Sequence, residues 1–310
     1  MGSRTSPYTE TEQSSSLEAQ ELVRRLSVGK QADSDGLDVC QVRSDLAAEF
    51  EPRAARAIDK YAPKLREESI GGVRCMIIDP PTFDSDDVIL YFFGGGYISG
   101  DPSYELPIVA HLAASSNKRC VLPYYSLAPE HPYPAALNEA LAVFDALAAT
   151  SNGNIILGGE SSGGGLAMSL LHQRCANVAA LCLFSPWLDL TDQGLTECAT
   201  VDDPSTELVF LETAVQSYCE PENRGKVSPA LFDWRAECPP LYVSSGTNDI
   251  MRPTLQRFVA QLRAQGSFVD FSIWPAMWHV FELYDEVPEA RSALTKAADF
   301  ISNSTKSASC

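Results

Sequence analysis

The spacing of hydrophobic residues changes near residue 71. Between residues 16 and 65 the apolar side chains recur at intervals near four, which is typical of amphipathic helices. After Gly71 and Gly72, continuously apolar runs alternate with helical segments as far as residue 301. Because such strands are buried on both faces, this alternation predicts a mostly parallel central sheet flanked by helices, an α/β fold. The predicted strands are 73–78, 88–93, 119–124, 154–157, 179–184, 241–244 and 268–273, and the predicted helices are 134–147, 162–173, 208–218, 254–264 and 289–301.

The same pattern suggests a division of the chain into a cap and a core. Residues 1–16 are rich in Ser, Thr and Glu and are expected to form a disordered tail, with a second tail at 303–310. Residues 17–70 are predicted to form a helical cap, and residues 71–302 the α/β domain. The irregular stretch 191–225 lies outside the alternation. Ligands bind beyond the carboxyl ends of parallel strands, so we expect this stretch to contribute to the cap over that edge.

The charge of the chain narrows the class of partner. Its 310 residues include 23 Lys and Arg against 41 Asp and Glu, which gives a net charge of −18. Such a surface repels phosphate backbones and anionic lipids, so neither nucleic acid nor a membrane surface is expected as a partner. A hydrophobic fraction of 45% and a charged fraction of 21% are ordinary for a globular protein.

Cysteine usage indicates a reducing compartment. The nine cysteines are scattered, and no two of them have C-x-x-C spacing, so neither a metal site nor a redox dithiol is predicted. The N-terminal residues are polar and do not resemble a secretory signal, and the longest apolar stretch is too short to cross a bilayer. These features predict a cytoplasmic protein.

The strongest chemical signal is Gly159-Glu160-Ser161-Ser162-Gly163, which fits G-x-S-x-G. A predicted strand enters this motif and a predicted helix leaves it, which is the context of a nucleophile at a sharp strand-to-helix turn. The helix N-terminus would add positive potential where an oxyanion forms. A packing turn or a phosphate loop is the alternative, but no lysine follows, so the Walker A pattern fails. Ser161 is therefore the predicted nucleophile.

A serine nucleophile needs a base and an acid that orients the base. His279 follows the last predicted strand and is the favoured base. His111 and His172 lie within helical runs, and His131 precedes a helix. Asp249 and Asp189 each follow a strand and preserve the order Ser, Asp, His. We favour Asp249, because its strand comes directly before the one that leads to His279; Asp189 would then cap a turn.

Backbone donors for an oxyanion are predicted in a glycine loop. Gly94, Gly95 and Gly96 end the predicted strand 88–93, and residues without side chains let N–H groups face a ligand. A plain flexible loop is the alternative.

Taken together, these motifs resemble the hormone-sensitive lipase family of α/β-hydrolases. The segments that carry the resemblance span residues 70–300 and are Phe93-Gly94-Gly95-Gly96-Tyr97, Tyr125-Ser126-Leu127-Ala128-Pro129-Glu130-His131, the Ser161 motif, Ser185-Pro186-Trp187-Leu188-Asp189, Val227-Ser228-Pro229, Gly246-Thr247-Asn248-Asp249 and Trp278-His279-Val280-Phe281. The resemblance implies an α/β-hydrolase fold with an N-terminal helical cap and no cofactor. It implies Ser161 as nucleophile, Asp249 as acid and His279 as base, with oxyanion donors at Gly95, Gly96 and Ser162. A homodimer is a further family analogy.

Several residues depart from the family pattern. Phe93 replaces a histidine whose ring braces the glycine loop in the family, so Phe93 could brace it only by packing. Tyr124 and Ser126 replace an aspartate and an arginine. Glu160 replaces an aspartate beside the nucleophile, and Ser162 replaces an alanine whose backbone N–H alone is needed. No member of the Ser-His-Asp set is lost.

These features predict a serine carboxylic ester hydrolase that acts on a small to medium, apolar ester, lactone or amide. Aromatic residues near the loops are predicted to bind the substrate. They are Phe93, Tyr97, Trp187, Trp278 and Phe281. The alternatives are acyl transfer, cyclisation or elimination at the same site, and, from a different class, a ligand-binding receptor that has lost turnover.

Overall fold

A computed structural model describes residues 9–10, 15–28, 37–82, 85–234 and 238–307. The strands are β1 (Thr9–Glu10), β2 (Lys64–Ile70), β3 (Val73–Asp79), β4 (Val88–Phe92), β5 (Arg119–Pro123), β6 (Ile155–Glu160), β7 (Val178–Phe184), β8 (Leu241–Gly246) and β9 (Val269–Trp274). The α-helices are α1 (Leu17–Val28), α2 (Val39–Tyr61), α3 (Leu106–Ser116), α4 (Ala135–Thr150), α5 (Ser161–Gln173), α6 (Asp192–Cys198), α7 (Leu208–Tyr218), α8 (Arg252–Ala264) and α9 (Pro288–Ser307). Within these residues, no helix is both long and apolar enough to cross a bilayer.

All strands belong to one sheet in the order β1-β9-β8-β7-β6-β4-β5-β3-β2. Only β3 runs antiparallel to its neighbours, β2 and β5, and the other pairs are parallel. Side chains of β4 show how both faces are filled. Leu90 and Phe92 join the core beneath α4, α5 and α8, whereas Ile89 and Tyr91 join the core beneath α3 and α9. The predicted mostly parallel sheet with helices on both faces is confirmed.

The predicted helical cap differs from the structure at residues 64–70. These residues form β2, an edge strand paired with β3 through Gly71 and Gly72, whose φ values are +59° and +83°. A two-residue turn with positive φ matches the twist of a hairpin. The Lys, Arg and Glu side chains of β2 are mostly exposed, so its composition hid the strand. The helical part of this segment ends at Tyr61, where Ala62 adopts a left-handed conformation.

The ends of the chain also differ from the prediction. Of the expected tail at residues 1–16, residues 1–8 and 11–14 lie outside the described residues. Thr9–Glu10 pairs with β9, and Ser16 donates from its N–H and its hydroxyl to Glu289 at 2.6 and 2.8 Å. At the other end α9 continues to Ser307, beyond residue 302, because Ile301 and buried Thr305 extend its apolar face by one turn.

Candidate active site

Three strand ends bring the predicted serine, aspartate and histidine together. Ser161 follows β6, Asp249 follows β8 and His279 follows β9. These strands are parallel, so their carboxyl ends meet at one edge of the sheet. Gly246, at the end of β8, allows a close approach between the last two loops, because a Cβ there would lie 2.0 Å from the Met277 carbonyl oxygen.

A strained turn presents Ser161. Its φ is +47°, a backbone conformation that residues other than glycine rarely adopt. The turn is tight because a Cβ on Gly163 would lie 2.1 Å from the Phe92 carbonyl oxygen, and one on Gly159 would lie 2.6 Å from the Gly163 carbonyl carbon. The Trp187 N–H donates to the Ser161 carbonyl oxygen at 2.8 Å and holds the turn. Ser161 is the first residue of α5, so its side chain projects at the helix N-terminus.

A continuous hydrogen-bonded chain joins the three side chains. His279 Nε2 lies 2.9 Å from Ser161 Oγ, and His279 Nδ1 lies 3.0 Å from Asp249 Oδ1. Asp249 is fully buried and also accepts from the Met251 N–H and the Ser245 hydroxyl, at 2.9 and 2.7 Å. The donors leave Asp249 oriented toward the imidazole, which is the arrangement of a Ser-His-Asp triad.

The neighbouring carboxylates stabilise the charged form of the His279 imidazole. Burial opposes the charged form of both groups. The hydrogen bond and charge of His279 nevertheless hold the pKa of Asp249 below its usual value. Burial likewise lowers the pKa of His279, but the hydrogen bond and charge of Asp249, helped by Asp203 and Glu160, raise it overall. The imidazole is therefore a better proton acceptor than burial alone would allow.

The alternative acid, Asp189, belongs to a different contact network. It accepts from the Thr191 N–H and hydroxyl and pairs with Arg257 Nη2 at 2.8 Å. The contacts with Thr191 therefore agree with the interpretation that Asp189 caps a turn. The other histidines also lie elsewhere: His111 Nδ1 is 2.9 Å from the Tyr61 hydroxyl, and His172 packs on Phe232 and Trp234.

The glycine loop lies beside the serine. Gly95 borders the same cavity as Ser161, and Gly95 and Gly96 have φ values of +99° and +65°. Within the described part of the chain, their N–H groups donate to no protein acceptor. Ser162 is the second residue of α5, where helix N–H groups have no intrahelical partner. Its hydroxyl accepts from the Tyr97 N–H at 3.2 Å and so links the glycine loop to the serine turn.

Phe93 braces the glycine loop by packing, as its replacement of the family histidine implies. Its ring stacks on Tyr125, with centroids 4.0 Å apart and planes inclined by 9°. The Tyr125 hydroxyl also donates to the Phe93 carbonyl oxygen at 2.6 Å. One aromatic residue therefore supports both the side chain and the backbone at the start of the loop.

Two buried carboxyl groups lie below this loop. Glu160 precedes the serine, accepts from the Gly94 N–H and contacts Glu105. Burial raises the pKa of Glu160 to about 7 and that of Glu105 well above its usual range. Glu105 therefore favours the protonated form, whereas Glu160 changes its charge near neutral pH.

A cavity of about 640 Å³ opens above the serine and histidine. Ser161, Gly95, Glu160 and His279 border it on the core side. Helices α1 and α2 and the segment 204–210 border it on the other side. Its apolar lining consists of Leu26, Val42, Leu46, Phe50, Pro204, Phe210, Val280, Leu283 and Tyr284. Phe210 lies close to the glycine loop, because a Cβ on Gly96 would be 3.0 Å from its ring.

The five aromatic residues predicted to bind substrate lie outside this lining. Phe93 stacks on Tyr125, and Tyr97 stacks on Tyr218 with centroids 3.8 Å apart. The indole N–H of Trp187 donates to the Asp189 carbonyl oxygen, Trp278 packs on Tyr284, and Phe281 packs on Trp274. All five side chains are at least 98% buried, so they hold the loops from beneath. The actual lining comes from segments whose place over the site the motifs did not indicate.

Asp203 is a buried residue of the site that the sequence analysis missed. Its carboxylate, that of Asp249 and the His279 ring offer donor atoms within 4.8 Å of one another, a spacing that could hold a metal ion. Hydrogen bonds to protein groups already account for these atoms, so the cluster does not require one. No motif surrounds Asp203 in the sequence, and only its place in the irregular stretch 191–225 could have drawn attention to it.

Comparisons with known proteins agree with this geometry. A family model described as alpha/beta hydrolase fold matches residues 89–283. An acetyl-hydrolase of Streptomyces hygroscopicus is 29% identical over 240 residues, which cover 73% of this chain and 78% of the relative. An esterase of Acinetobacter venetianus is 28% identical over 248 residues, which cover 76% of this chain and 81% of the relative.

Solved structures show the same architecture. A hormone-sensitive lipase from a metagenome library has a TM-score of 0.82 and 28% identity, and the match covers 94% of this chain and 100% of that one. An esterase of the archaeon Pyrobaculum calidifontis shares the fold with a TM-score of 0.81 at 22% identity, over 91% of this chain and 97% of that one. The resemblance to hormone-sensitive lipases is confirmed, and the chain belongs to the alpha/beta hydrolase fold family.

Proposed function

We propose that this protein is a serine hydrolase that cleaves carboxylic esters. The observation that carries the proposal is the hydrogen-bonded chain from Ser161 through His279 to Asp249 at the edge of an apolar cavity. The similarity to proteins named esterase and acetyl-hydrolase supports the same reaction class. The size and the apolar lining of the cavity favour a small to medium apolar substrate.

The chemistry follows from the positions of these groups. Ser161 Oγ attacks the ester carbonyl carbon while His279 Nε2 takes the hydroxyl proton. N–H groups of Gly95, Gly96 and Ser162 would stabilise the oxyanion. His279 then protonates the leaving alcohol, and the acyl group remains on Ser161. Water, deprotonated by His279, attacks this acyl-enzyme, which releases the acid and restores the serine hydroxyl. Asp249 keeps the imidazole oriented and stabilises its charged form throughout.

Turnover of para-nitrophenyl acetate, butyrate and octanoate tests the proposal directly. We expect catalytic hydrolysis by the wild type, and a loss of at least about a thousandfold in kcat for Ser161→Ala and His279→Ala. His131→Ala, at an exposed histidine outside the cavity lining, is the matched control and should retain activity. Turnover that survives Ser161→Ala would refute the proposal.

The same assay separates hydrolysis from the alternatives. A burst of one nitrophenolate per protein without turnover would indicate acyl transfer or cyclisation instead, because the acyl-enzyme would then exclude water. Failure of Ser161 to react with an organophosphonate in the folded protein would indicate a binding protein.

We further propose that α1, α2 and the segment 191–225 act as the cap of this site. Support comes from the cavity, which is lined by residues of α1 and α2 and by residues 204–207 and 210.

We also propose a cytoplasmic location and a homodimer. The eight described cysteines are all unpaired, which favours a reducing compartment such as the cytoplasm. The homodimer is suggested by analogy with the family. Sedimentation of the purified protein would test the homodimer.

A further inference from the structure

Asp203 lies between the cap and the two loops that carry the acid and the base. It is 1% exposed and belongs to the segment that leads from α6 to α7. Its Oδ2 accepts from the backbone N–H of His279 at 2.9 Å and from that of Ile250 at 3.0 Å. Ile250 directly follows Asp249. One carboxylate oxygen therefore bridges the backbones of the base and of the residue next to the acid.

The second oxygen of the same carboxylate holds a turn that borders the cavity. Asp203 Oδ1 accepts from the Ser205 N–H and hydroxyl, both at 2.8 Å, and from the Thr206 N–H at 3.2 Å. Ser205 and Thr206 line the cavity above Ser161. An Asp that merely capped this turn would need only Oδ1. The contacts of Oδ2 have no part in the turn and go to the catalytic loops.

We propose that Asp203 is a positioning residue that fixes the His279 loop, the Asp249 loop and the substrate-contacting turn of the cap relative to one another. The inference rests on the proposed function. The five groups named above all donate to Asp203, so a carboxylate satisfies them. An amide in its place would direct its NH₂ group at N–H groups on one side. A cap that shifts with its ligand would therefore shift the backbone of the base.

The charge of Asp203 acts on His279 together with other acidic groups. Asp249 faces the imidazole from the loop after β8, and Glu160 faces it from the end of β6. Glu282, in the segment after His279, has a pKa raised to about 8 and so favours its uncharged form. Asp203 is the group that the cap adds to this set. Its negative charge helps to raise the pKa of His279, so its removal should lower that pKa.

Asp203→Asn, compared with Asp202→Asn, tests the proposal. Asp202 is the exposed neighbour, so its substitution removes the same charge one residue away from Asp203. We expect Asp203→Asn to lower kcat for para-nitrophenyl butyrate by about ten- to a hundredfold. We also expect it to shift the NMR titration of the His279 ring, and the acidic limb of kcat/KM, to lower pH. Asp202→Asn should change neither property.

A folded Asp203→Asn protein with wild-type kcat and an unshifted His279 titration would overturn the proposal. If Asp203→Asn does not fold, Asp203→Glu replaces it. That variant keeps the charge but moves the oxygens by one methylene, so kcat should fall while the His279 titration stays near that of the wild type; an unchanged kcat would overturn the proposal. The titration does not need turnover. An inactive wild type would therefore refute the proposed function and still leave the role of Asp203 testable.

Discussion

Ser161 combines the reactive hydroxyl with a backbone conformation that is unfavourable for a serine. The left-handed conformation crowds Cβ against a backbone carbonyl oxygen, which costs about 1 kcal/mol or more for residues other than glycine. The surrounding contacts, from the Trp187 N–H to the glycines of the turn, maintain this conformation. The strained turn is therefore part of the structure that exposes the Ser161 hydroxyl above the sheet.

Two inactive variants of this residue should differ in stability. Ser161→Ala and Ser161→Gly both remove the hydroxyl, but only glycine relieves the positive φ. We expect the free energy of unfolding of the glycine variant to be about 1 kcal/mol higher than that of the alanine variant, so the glycine variant is the more stable one. Urea denaturation measures the difference. Equal stability of the two variants would mean that the turn is not strained at this residue.

Glu282 makes the stability of the protein depend on pH. It is fully buried and accepts from the Ser244 hydroxyl at 2.5 Å. Burial raises the pKa of Glu282 from 4.5 to about 8. Between these two pH values the folded protein keeps a proton that the unfolded chain has released. The contribution of Glu282 to the free energy of unfolding is therefore fully present below pH 4.5 and is lost as the pH rises through 8.

Removal of this titration should stabilise the protein at alkaline pH. We expect the free energy of unfolding of Glu282→Gln, relative to wild type, to increase by on the order of 3 kcal/mol between pH 5 and pH 9. Urea denaturation at both pH values measures the difference. Glu222→Gln, an exposed control, should show no such trend. A difference for Glu282→Gln that does not change with pH would contradict the assignment.

At the scale of elements, the glycine loop depends on the strand and loop that pack beneath it. Tyr125 stacks on Phe93 and donates to the Phe93 carbonyl oxygen. Ser162, on the adjacent helix, accepts from the Tyr97 N–H at the far end of the loop. The loop is therefore anchored on both sides of the glycines, which keeps its N–H groups oriented before a substrate arrives.

Loss of the tyrosine hydroxyl should impair catalysis and folding to a similar extent. Tyr125→Phe keeps the stacked ring and removes only the bond to the Phe93 carbonyl. We expect a decrease of about fivefold in kcat and of about 1 kcal/mol in the free energy of unfolding. Tyr124→Phe, at the neighbouring half-buried tyrosine, is the control and should retain kcat. Wild-type kcat in Tyr125→Phe would show that the hydroxyl does not position the loop.

The sequence predicts those elements whose local pattern matches their surroundings. The apolar strands and the G-x-S-x-G turn have this property, and so do the residues that follow strand ends, such as Asp249 and His279. Strand β2 was missed because its charged residues favour a helix, and only the pairing with β3 makes it a strand. Asp203 was missed because its role comes from contacts with residues far along the chain, which no local pattern records.

The aromatic residues that the motifs indicated lie outside the cavity lining for a related reason. Trp278 and Phe281 are close to His279 in sequence, but their side chains point into the core below it. The lining of the cavity comes from helices that lie over the site only after the chain has folded, including Phe50 of α2 and Phe210 of α7. Proximity in sequence predicts the catalytic side chains better than the substrate-binding surface.

Over the whole molecule, negative charge should discriminate among substrates. The net charge is −18, and the charged groups that line the cavity include Asp45, Glu49 and Glu207 against Arg25. Fields of one sign raise the local concentration of ligands of the other sign and repel ligands of the same sign. We therefore expect the site to disfavour esters whose acyl chain carries a carboxylate.

A matched pair of esters measures this discrimination. Para-nitrophenyl pentanoate and mono-para-nitrophenyl glutarate have acyl chains of equal length and differ in a terminal methyl or carboxylate. We expect kcat/KM to be at least about tenfold lower for the glutarate at low ionic strength, and the gap to narrow as salt is added. Equal values at low salt would contradict an electrostatic origin.

The hydrogen bonds of Asp203 limit how the segment over the active site can change between related proteins. The proposed cap is not an independent module, because Asp203, which links it to the backbone of His279, lies within the cap itself. A chimera that receives the cap of another hydrolase would lose this tie unless the donor carries an equivalent carboxylate. Substrate range in this lineage should therefore change more readily through residues such as Phe210 than through replacement of the segment around Asp203.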